Sequence, residues 1–402
     1  MARCDELSKC TDSSGGITRL CLSPAMARAH DLVRGWMEAA GMQVRLDAIG
    51  NISGTLAGSS DRTLFVGSHL DTVRNAGRYD GALGVLIGIA LVQMLREDGV
   101  RLPYSVDIVG FADEEGVRFG VPFLGSRVLA RTFDPILLTL DDDDGVTLQE
   151  AIAAFGLPPN LLAKAPHRAP DDPGEAIGFF EVHIEQGPVL AELDEPIGVV
   201  TGIVGQSRAR LSLLGEAGHA GTVPMPLRRD ALAGAAEFTL EVERTALDTP
   251  GLVATVGRLK LAPGAINVIP GSATLTLDLR HAEDGVRIAS FEALLARARA
   301  LARDRDLQLS YRRLGEQAAV RLDQQLGTLL IEAGGGHAPV LTSGAGHDAM
   351  IMAEAMPSTM MLLRSPNAVS HSPEEMILES DVARALEVSF SFLRSLGDRY
   401  AG

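Results

Sequence analysis

The sequence predicts an α/β protein that carries a compact α+β insert, and three observations predict it. Strand-like and helix-like stretches alternate from about residue 43 to residue 113. From residue 206 the pattern changes to β-α-β-β-α-β, and beyond residue 325 the α/β alternation resumes. At roughly 100–200 residues per domain, 402 residues suit two or three domains. The expected division is a central-sheet domain flanked by helices, built from residues 1–205 and 317–402, with an insert at 206–316.

The elements follow in order. Residues 25–45 carry apolar positions at a helical period and end near Gly41, predicting a helix followed by the strand MQVRLDAI. NISGTLAG and TLFVGSH read as strands, GALGVLIGIALVQML (81–95) as a buried helix, and YSVDIVGFAD (104–113) as another strand. The apolar run 81–95 is too short for a membrane span of about 20 residues. Asp141–Asp144 before Gly145 resembles a calcium loop, but its twelfth position would be Ala151 rather than Glu. A solvated turn opening the helix TLQEAIAAF is expected there instead. Residues 160–175 are Pro-rich and predict a surface loop, followed by the strand IGFFEVHIEQG.

In the insert, RARLSLLGEA, LVATVGRLKLA, SATLTLDLRHA and LQLSYRRL read as strands. RRDALAGAAEFTLEVERTAL and VRIASFEALLARARALARDR read as helices. Their order is the ferredoxin-like one. After it come a helix, the strand APVLTS, a helix at HDAMIMAEA, the strand TMMLL and a last helix from about Ser380.

Composition narrows the function. Lys and Arg number 36 against 52 Asp and Glu, a net charge of −16, and aromatics are 4%. That excludes nucleic acid, which needs a basic footprint, and anionic membrane surfaces. The N-terminal sequence lacks the apolar stretch of a signal peptide. Cys4, Cys10 and Cys21 are odd in number, lack a CxxC pair and lie near a terminus expected to fray, so they read as free thiols in a reducing cytoplasm.

Metal-ligand residue types stand at predicted strand ends, where ligands of open α/β sheets gather. His69 ends a strand, with Asp71 pointing to the same side. Asp80 immediately precedes the buried helix, where a carboxylate accepts N-terminal amides and still reaches a cation. Glu114 and Glu115 follow a strand, and in extended chain one would bind metal while the other faces reacting water. His183 shares a strand face with Glu185, and His371 follows the strand TMMLL. Together His69, Asp80, Glu115, His183 and His371 suffice for two zinc-like ions. Taken singly, each has a plainer role: a hydrogen-bonded strand-end histidine, a solvated Glu114–Glu115 pair, a helix-capping Asp71.

Competing motifs are weak. HExxH and the P-loop are absent, and Gly205–Ala209 lacks the last glycine of a nucleophile elbow. SGAGHDA (343–349) holds GxGxxA without its βαβ context, so its glycines read as a tight turn or close approach.

The strings GSHLDTVRNAGRYDGALGV, FADEEGVRFGVPFLGS, HIEQGPVL, GEAGHAGTVPM, RRDA, NVIPG, LDLRH, SGAGHDA and SHSPEE occur in that order. Together they resemble the hydantoinase/carbamoylase family of dinuclear metal amidohydrolases, which includes N-carbamoyl-L-amino-acid hydrolases, allantoate amidohydrolases and β-ureidopropionases. The family is similar in catalytic fold to metal-dependent aminoacylases and carboxypeptidases.

The resemblance implies two divalent ions, zinc or manganese. His69 and His183 would bind one, Glu115 and His371 the other, and Asp80 would bridge them. Asp71 would orient His69, and Glu114 would be the general base. Gln186, His219, Asn267, Arg280, Gly346 and His347 would contact substrate, with His219 also aiding catalysis. Plainer roles stay open for two of these: Arg280 would pair with Asp278 or Glu283, and Asn267 would make a turn.

The resemblance further implies an insert that acts as a lid and carries the contact of a homodimer. IVGQ (203–206) and SGAGHDA resemble allantoate amidohydrolases more than many amino-acid carbamoylases, though both strings occur loosely across the family; allantoate and N-carbamoyl-L-amino acids rank close together, ahead of N-carbamoyl-β-alanine. Arg74 and Ala76 depart from the family's usual residues without touching the ligand set. An aminoacylase or dipeptidase on the same scaffold is the alternative activity.

Overall fold

The computed structural model describes residues 1–162 and 175–400. The chain divides into two compact units, Met1–Thr201 with Arg321–Gly402, and Gly202–Val320. The expected limits of 206 and 316 fall four residues inside the second unit at either end.

The first unit opens with α1 (Ala2–Leu7), α2 (Pro24–Ala39), β1 (Gln43–Leu46), β2 (Ile52–Leu56), β3 (Arg62–His69), α3 (Ala82–Glu97) and β4 (Ser105–Phe111). It continues with α4 (Leu124–Leu129), α5 (Leu148–Ala154), β5 (Glu175–Ile184), α6 (Val189–Glu192) and β6 (Ile197–Ile203). The second unit contains β7 (Gly205–Leu214), β8 (Gly218–His219), α7 (Ala231–Asp248), β9 (Val253–Ala262), β10 (Val268–Ile269), β11 (Ser272–His281), α8 (Asp284–Asp304) and β12 (Gln308–Gln317). The chain returns through β13 (Val320–Arg321), α9 (Gln324–Ala333), β14 (Val340–Ser343), α10 (Asp348–Met352), β15 (Ser358–Leu363) and α11 (Glu379–Tyr400).

Local chemistry sets several of these boundaries. Ser23 caps α2 by accepting the Met26 amide, with Pro24 in its first turn. Thr147 and Glu150 form a capping box on α5, so the Asp141–Asp144 segment is the turn before a helix, as expected. α3 is buried on nearly every side, which its uninterrupted apolar sequence requires.

The large sheet runs β1-β2-β4-β3-β5-β15-β6-β13, with β14 pairing β6. β4, β3, β5 and β15 are mutually parallel, whereas β1, β2 and β6 join antiparallel. The α/β layer is therefore mixed rather than wholly parallel. β6 was not expected, because EPIGVVTGIV carries glycines that mask its strand character. The four parallel strands finish along one edge, with His69, Phe111, Ile184 and Leu363 as their last residues. Parallel strands joined by crossovers place the loops that follow them side by side, which is where a site can be assembled.

In the second unit, all neighbours of the sheet β12-β7-β11-β9 are antiparallel, and α7 packs with α8. Numbered by sequence, that strand order is 4-1-3-2, the ferredoxin-like arrangement. Ala235, Phe238, Leu275, Phe291 and Leu295 lie in its separate core.

The expected frayed N-terminus is corrected. α1 is helical, and Cys4, Cys10 and Cys21 are free but buried. The Arg19 guanidinium, 2% exposed, fastens this segment by donating to the carbonyls of Leu70 (2.6 Å), Leu7 (3.1 Å) and Cys10 (3.2 Å). The expected surface loop at 160–175 falls, over residues 163–174, outside the described residues, as does His167.

Candidate metal centre

The ends of β3 and β5 and the loops after β3, β4 and β15 bring all five expected ligands together. His69, Asp80 and His183 form one group whose ligand atoms lie within 4.8 Å of one another. Asp80, Glu115 and His371 form a second, and His69, Glu114 and Glu115 a third, under the same limit. The Asp80 oxygens divide between the first two groups. Oδ1 is 3.2 Å from His183 Nε2 and 3.9 Å from His69 Nε2, and Oδ2 is 3.3 Å from His371 Nε2. His371 Nε2 also stands 3.6 Å from Glu115 Oε1.

The ring nitrogens facing away fix the tautomers. His183 Nδ1 donates to the Ile184 carbonyl at 2.8 Å, and His69 Nδ1 to the Asp71 carbonyl at 3.0 Å. Both Nε2 lone pairs then point inward, 3.4 Å apart, beside the Asp80 carboxylate. Two lone pairs and a carboxylate converging in a buried site call for a shared positive charge, so the donor set fits a divalent cation.

The protonation of the groups shows the same demand. Burial opposes a charged His69, yet its bond to Asp71 and the charges of Glu114, Asp71 and Asp80 hold the imidazole well above its ordinary value. Burial also opposes a charged Asp80, but hydrogen bonds to His183 and His371 hold it well below the usual carboxylate range. Glu114 is driven well above that range by burial first, then by the charges of Glu115, Asp348 and Asp71, with His69 opposing.

Two expectations about carboxylates are corrected. Asp80 does not cap α3; its carboxylate faces the three histidines, and Gln186 Nε2 donates to it at 3.1 and 3.2 Å. Its side chain is committed to the strand-end cluster instead. Glu114 and Glu115 do not diverge, because the chain turns sharply after β4 and both approach His69. Glu185, on the strand face of His183, accepts the Val189 and Leu190 amides (2.6 and 3.0 Å) at the start of α6.

Asp71 does more than orient His69. Its Oδ1 lies 3.5 Å from His69 Nδ1, while Oδ1 and Oδ2 accept the Glu114 and Glu115 amides at 3.0 and 3.1 Å. One carboxylate thereby aims both acids of the turn.

Around this cluster, Gln186 Nε2 also reaches Ser370 Oγ (3.1 Å) and His371 Nε2 (3.3 Å). His347 is 1% exposed, and its ring meets His183 edge-on at 4.6 Å while Ser343 Oγ holds its Nε2 at 2.7 Å. It backs His183 rather than lining open space. A Cβ on Gly346 would come within 2.8 Å of the Phe123 ring, so glycine there reflects close packing.

In the second unit, β8 pairs with β10, and the Ala220 amide donates to the Asn267 carbonyl at 3.0 Å, which places His219 beside Asn267. Both side chains are exposed. His219 Nδ1 accepts the Gly221 amide at 3.1 Å, leaving the hydrogen on Nε2. Arg280 pairs with Asp278 through Nε at 3.1 Å and Nη2 at 3.2 Å, one of the plainer roles open to it.

Sequence reasoning missed Glu181 and Glu375. Glu181 accepts Ser68 Oγ at 3.0 Å and the Ala349 amide at 2.7 Å, behind the histidines. Its signal was present, since it lies two residues before His183 on the same strand face. Glu375 accepts the Tyr79 and Asp80 amides at 2.7 and 3.1 Å, a contact between segments almost 300 residues apart that no local pattern announces.

Among the described residues, no helix is long and apolar enough to cross a membrane. Residues 65–395 match the profile of peptidase family M20/M25/M40. An N-carbamoyl-L-amino acid amidohydrolase of Geobacillus stearothermophilus is 41% identical over 391 residues, covering 94% of this chain and 92% of its own length. An allantoate deiminase of Arabidopsis thaliana is 38% identical, with coverages of 98% and 81%. The crystal structure of a hydantoinase/carbamoylase-family amidase from Burkholderia multivorans superposes with a TM-score of 0.90 at 31% identity, covering 98% of this chain and 96% of that one. The chain therefore belongs to peptidase family M20/M25/M40, among its hydantoinase/carbamoylase amidases.

Proposed function

We propose that the chain is a metal-dependent amidohydrolase that cleaves the carbamoyl C–N bond of linear ureido acids, such as allantoate or an N-carbamoyl-L-amino acid, releasing ammonia and carbon dioxide. The observation that carries this reading is the pair of donor groups sharing Asp80, with Glu114 beside them. Relatives named for N-carbamoyl-L-amino acids and allantoate support the substrate class.

In this reading His69 and His183 would hold one ion and Glu115 and His371 a second, Asp80 would serve both, and the metal would be zinc or manganese. Bound there, the ions would supply Lewis acidity to the scissile carbonyl and the attacking water. The chain's own groups handle protons and orientation. Glu114 takes the proton from the water and passes it to the departing nitrogen, a task suited to a carboxyl whose pKa is raised. His219 donates from Nε2 to the carbonyl oxygen as it gains charge. Arg280, its guanidinium steadied by Asp278, receives the substrate carboxylate, with Asn267 and Gln186 adding directed hydrogen bonds. Gly346 and His347 shape the wall behind His183.

The second unit, in this reading, closes as a lid, excludes bulk water and carries the subunit contact of a cytoplasmic homodimer. A panel assay tests the activity. Ammonia release from allantoate, N-carbamoyl-L-amino acids and N-carbamoyl-β-alanine should vanish on chelation and return with zinc or manganese. Full activity in metal-free protein would reject the mechanism. Hydrolysis of an N-acetyl amino acid with no action on its N-carbamoyl counterpart would instead favour an aminoacylase or dipeptidase.

A further inference from the structure

We infer that Glu375 is the positioning residue that sets the Asp80 carboxylate between the two ligand groups. The inference rests on the metal-bridging role proposed for Asp80. Glu375 is 2% exposed and lies four residues beyond His371. Its Oε1 accepts two consecutive amides, Tyr79 at 2.7 Å and Asp80 at 3.1 Å, and so holds the backbone that carries the Asp80 side chain. Its Oε2 accepts Ser370 Oγ at 3.3 Å, and the same hydroxyl lies 3.3 Å from Asp80 Oδ2. One buried carboxylate thus ties the turn before α3 to the turn that presents His371.

Two features show that the contact is built rather than incidental. A Cβ on Gly77 would stand 2.5 Å from Glu375 Cδ, so the chain can approach this carboxylate only with glycine there. Among the described residues, Glu375 is also the acceptor that both the Tyr79 and Asp80 amides share, and neither amide has a backbone acceptor. Without it, two buried N–H groups lose their acceptor, and the Asp80 backbone is free to rotate away from His183 and His371.

Cobalt(II) titration of metal-free full-length protein tests this, followed by visible absorption and by cobalt retained after gel filtration. Wild type should take up about two ions per chain. Glu375→Ala should weaken uptake roughly 10–100-fold and alter the visible bands, the usual cost of removing an outer partner of a ligand. Glu375→Gln retains an oxygen that accepts both amides and should bind within about threefold of wild type. Glu375→Asp keeps the charge but is one methylene shorter, and should bind more weakly than Glu375→Gln.

Wild-type affinity and spectrum in Glu375→Ala would overturn the inference. So would the order in which Asp rescues and Gln does not, since charge rather than amide anchoring would then matter. If Glu375→Ala does not fold, the Gln and Asp variants decide alone. Wild-type protein that binds no cobalt would sink the metal reading itself, an outcome distinct from unchanged binding by the variants.

Discussion

Replacing Gly81 with alanine tests the geometry of the centre at its tightest point. Gly81 has φ +64°, and a Cβ built there would lie 2.5 Å from His69 Cδ2, with Cε1 and Nε2 closer still. Ordinary carbon contacts begin near 3.5 Å, so the imidazole must retreat by about 1 Å. Metal–ligand distances tolerate roughly 0.2 Å, which makes that retreat a lost ligand rather than a stretched one. Gly81, at φ 64° and ψ −57° with the Ala82 amide on the Asp80 carbonyl, centres a γ-turn, a conformation that adds on the order of 1–3 kcal/mol of strain for a residue with a Cβ. The expected outcome is loss of bound metal and at least about a 100-fold fall in ammonia release, the scale of a 1 Å misplacement. Metal content by plasma emission spectrometry, read with turnover on the best ureido acid, measures both. Unaltered metal stoichiometry together with a wild-type rate would show that His69 is not held against this glycine as the structure describes.

Other perturbations separate the roles of neighbouring groups. Glu114→Gln should keep its metal and lose nearly all turnover, roughly 100-fold or more, because the amide cannot carry a proton; a mutant at wild-type rate removes Glu114 as the base. Asp71→Ala strips the acceptor from the Glu114 and Glu115 amides and should lower kcat while far-UV circular dichroism stays unchanged; an unchanged kcat means that the acidic turn holds its own shape. His30 predicts an acid-sensitive stability. It is buried edge-on to Phe155, neither ring nitrogen has a hydrogen-bond partner among the described residues, and burial, then the charges of Arg34 and Arg19, lower its pKa to about 4. The unfolded chain therefore binds a proton that the folded one does not. The stability that His30 contributes is present above pH 6.5 and is lost as pH falls towards 4, by about 3 kcal/mol in all. Urea unfolding of His30→Leu should lose that slope, and an identical slope in the variant would place the acid sensitivity elsewhere.

Much of this protein was legible along the chain. Continuous apolar runs located β3, β4, β5, β15 and α3, because a strand or helix buried on nearly every side needs apolar residues along its whole length. The motifs around His69, Asp80, Glu114, His183 and His371 sit at the ends of those elements, so the candidate ligands were nameable before any coordinate. The order β-α-β-β-α-β in the second unit was equally readable.

What the chain alone did not decide is what each polar group touches. Asp80 could as well have capped α3, Glu185 could have faced the histidines, and Glu114 and Glu115 could have pointed apart. The outcome was set by contacts between segments distant in sequence: Glu375 on the Tyr79 and Asp80 amides, Asp71 on those of Glu114 and Glu115, Gln186 on Asp80. Hydrophobic burial acts on whole faces or whole elements and so leaves a periodic trace or an unbroken apolar run in the sequence. A hydrogen bond acts between two atoms about 3 Å apart, and which two atoms meet is decided only when the strands have taken their places.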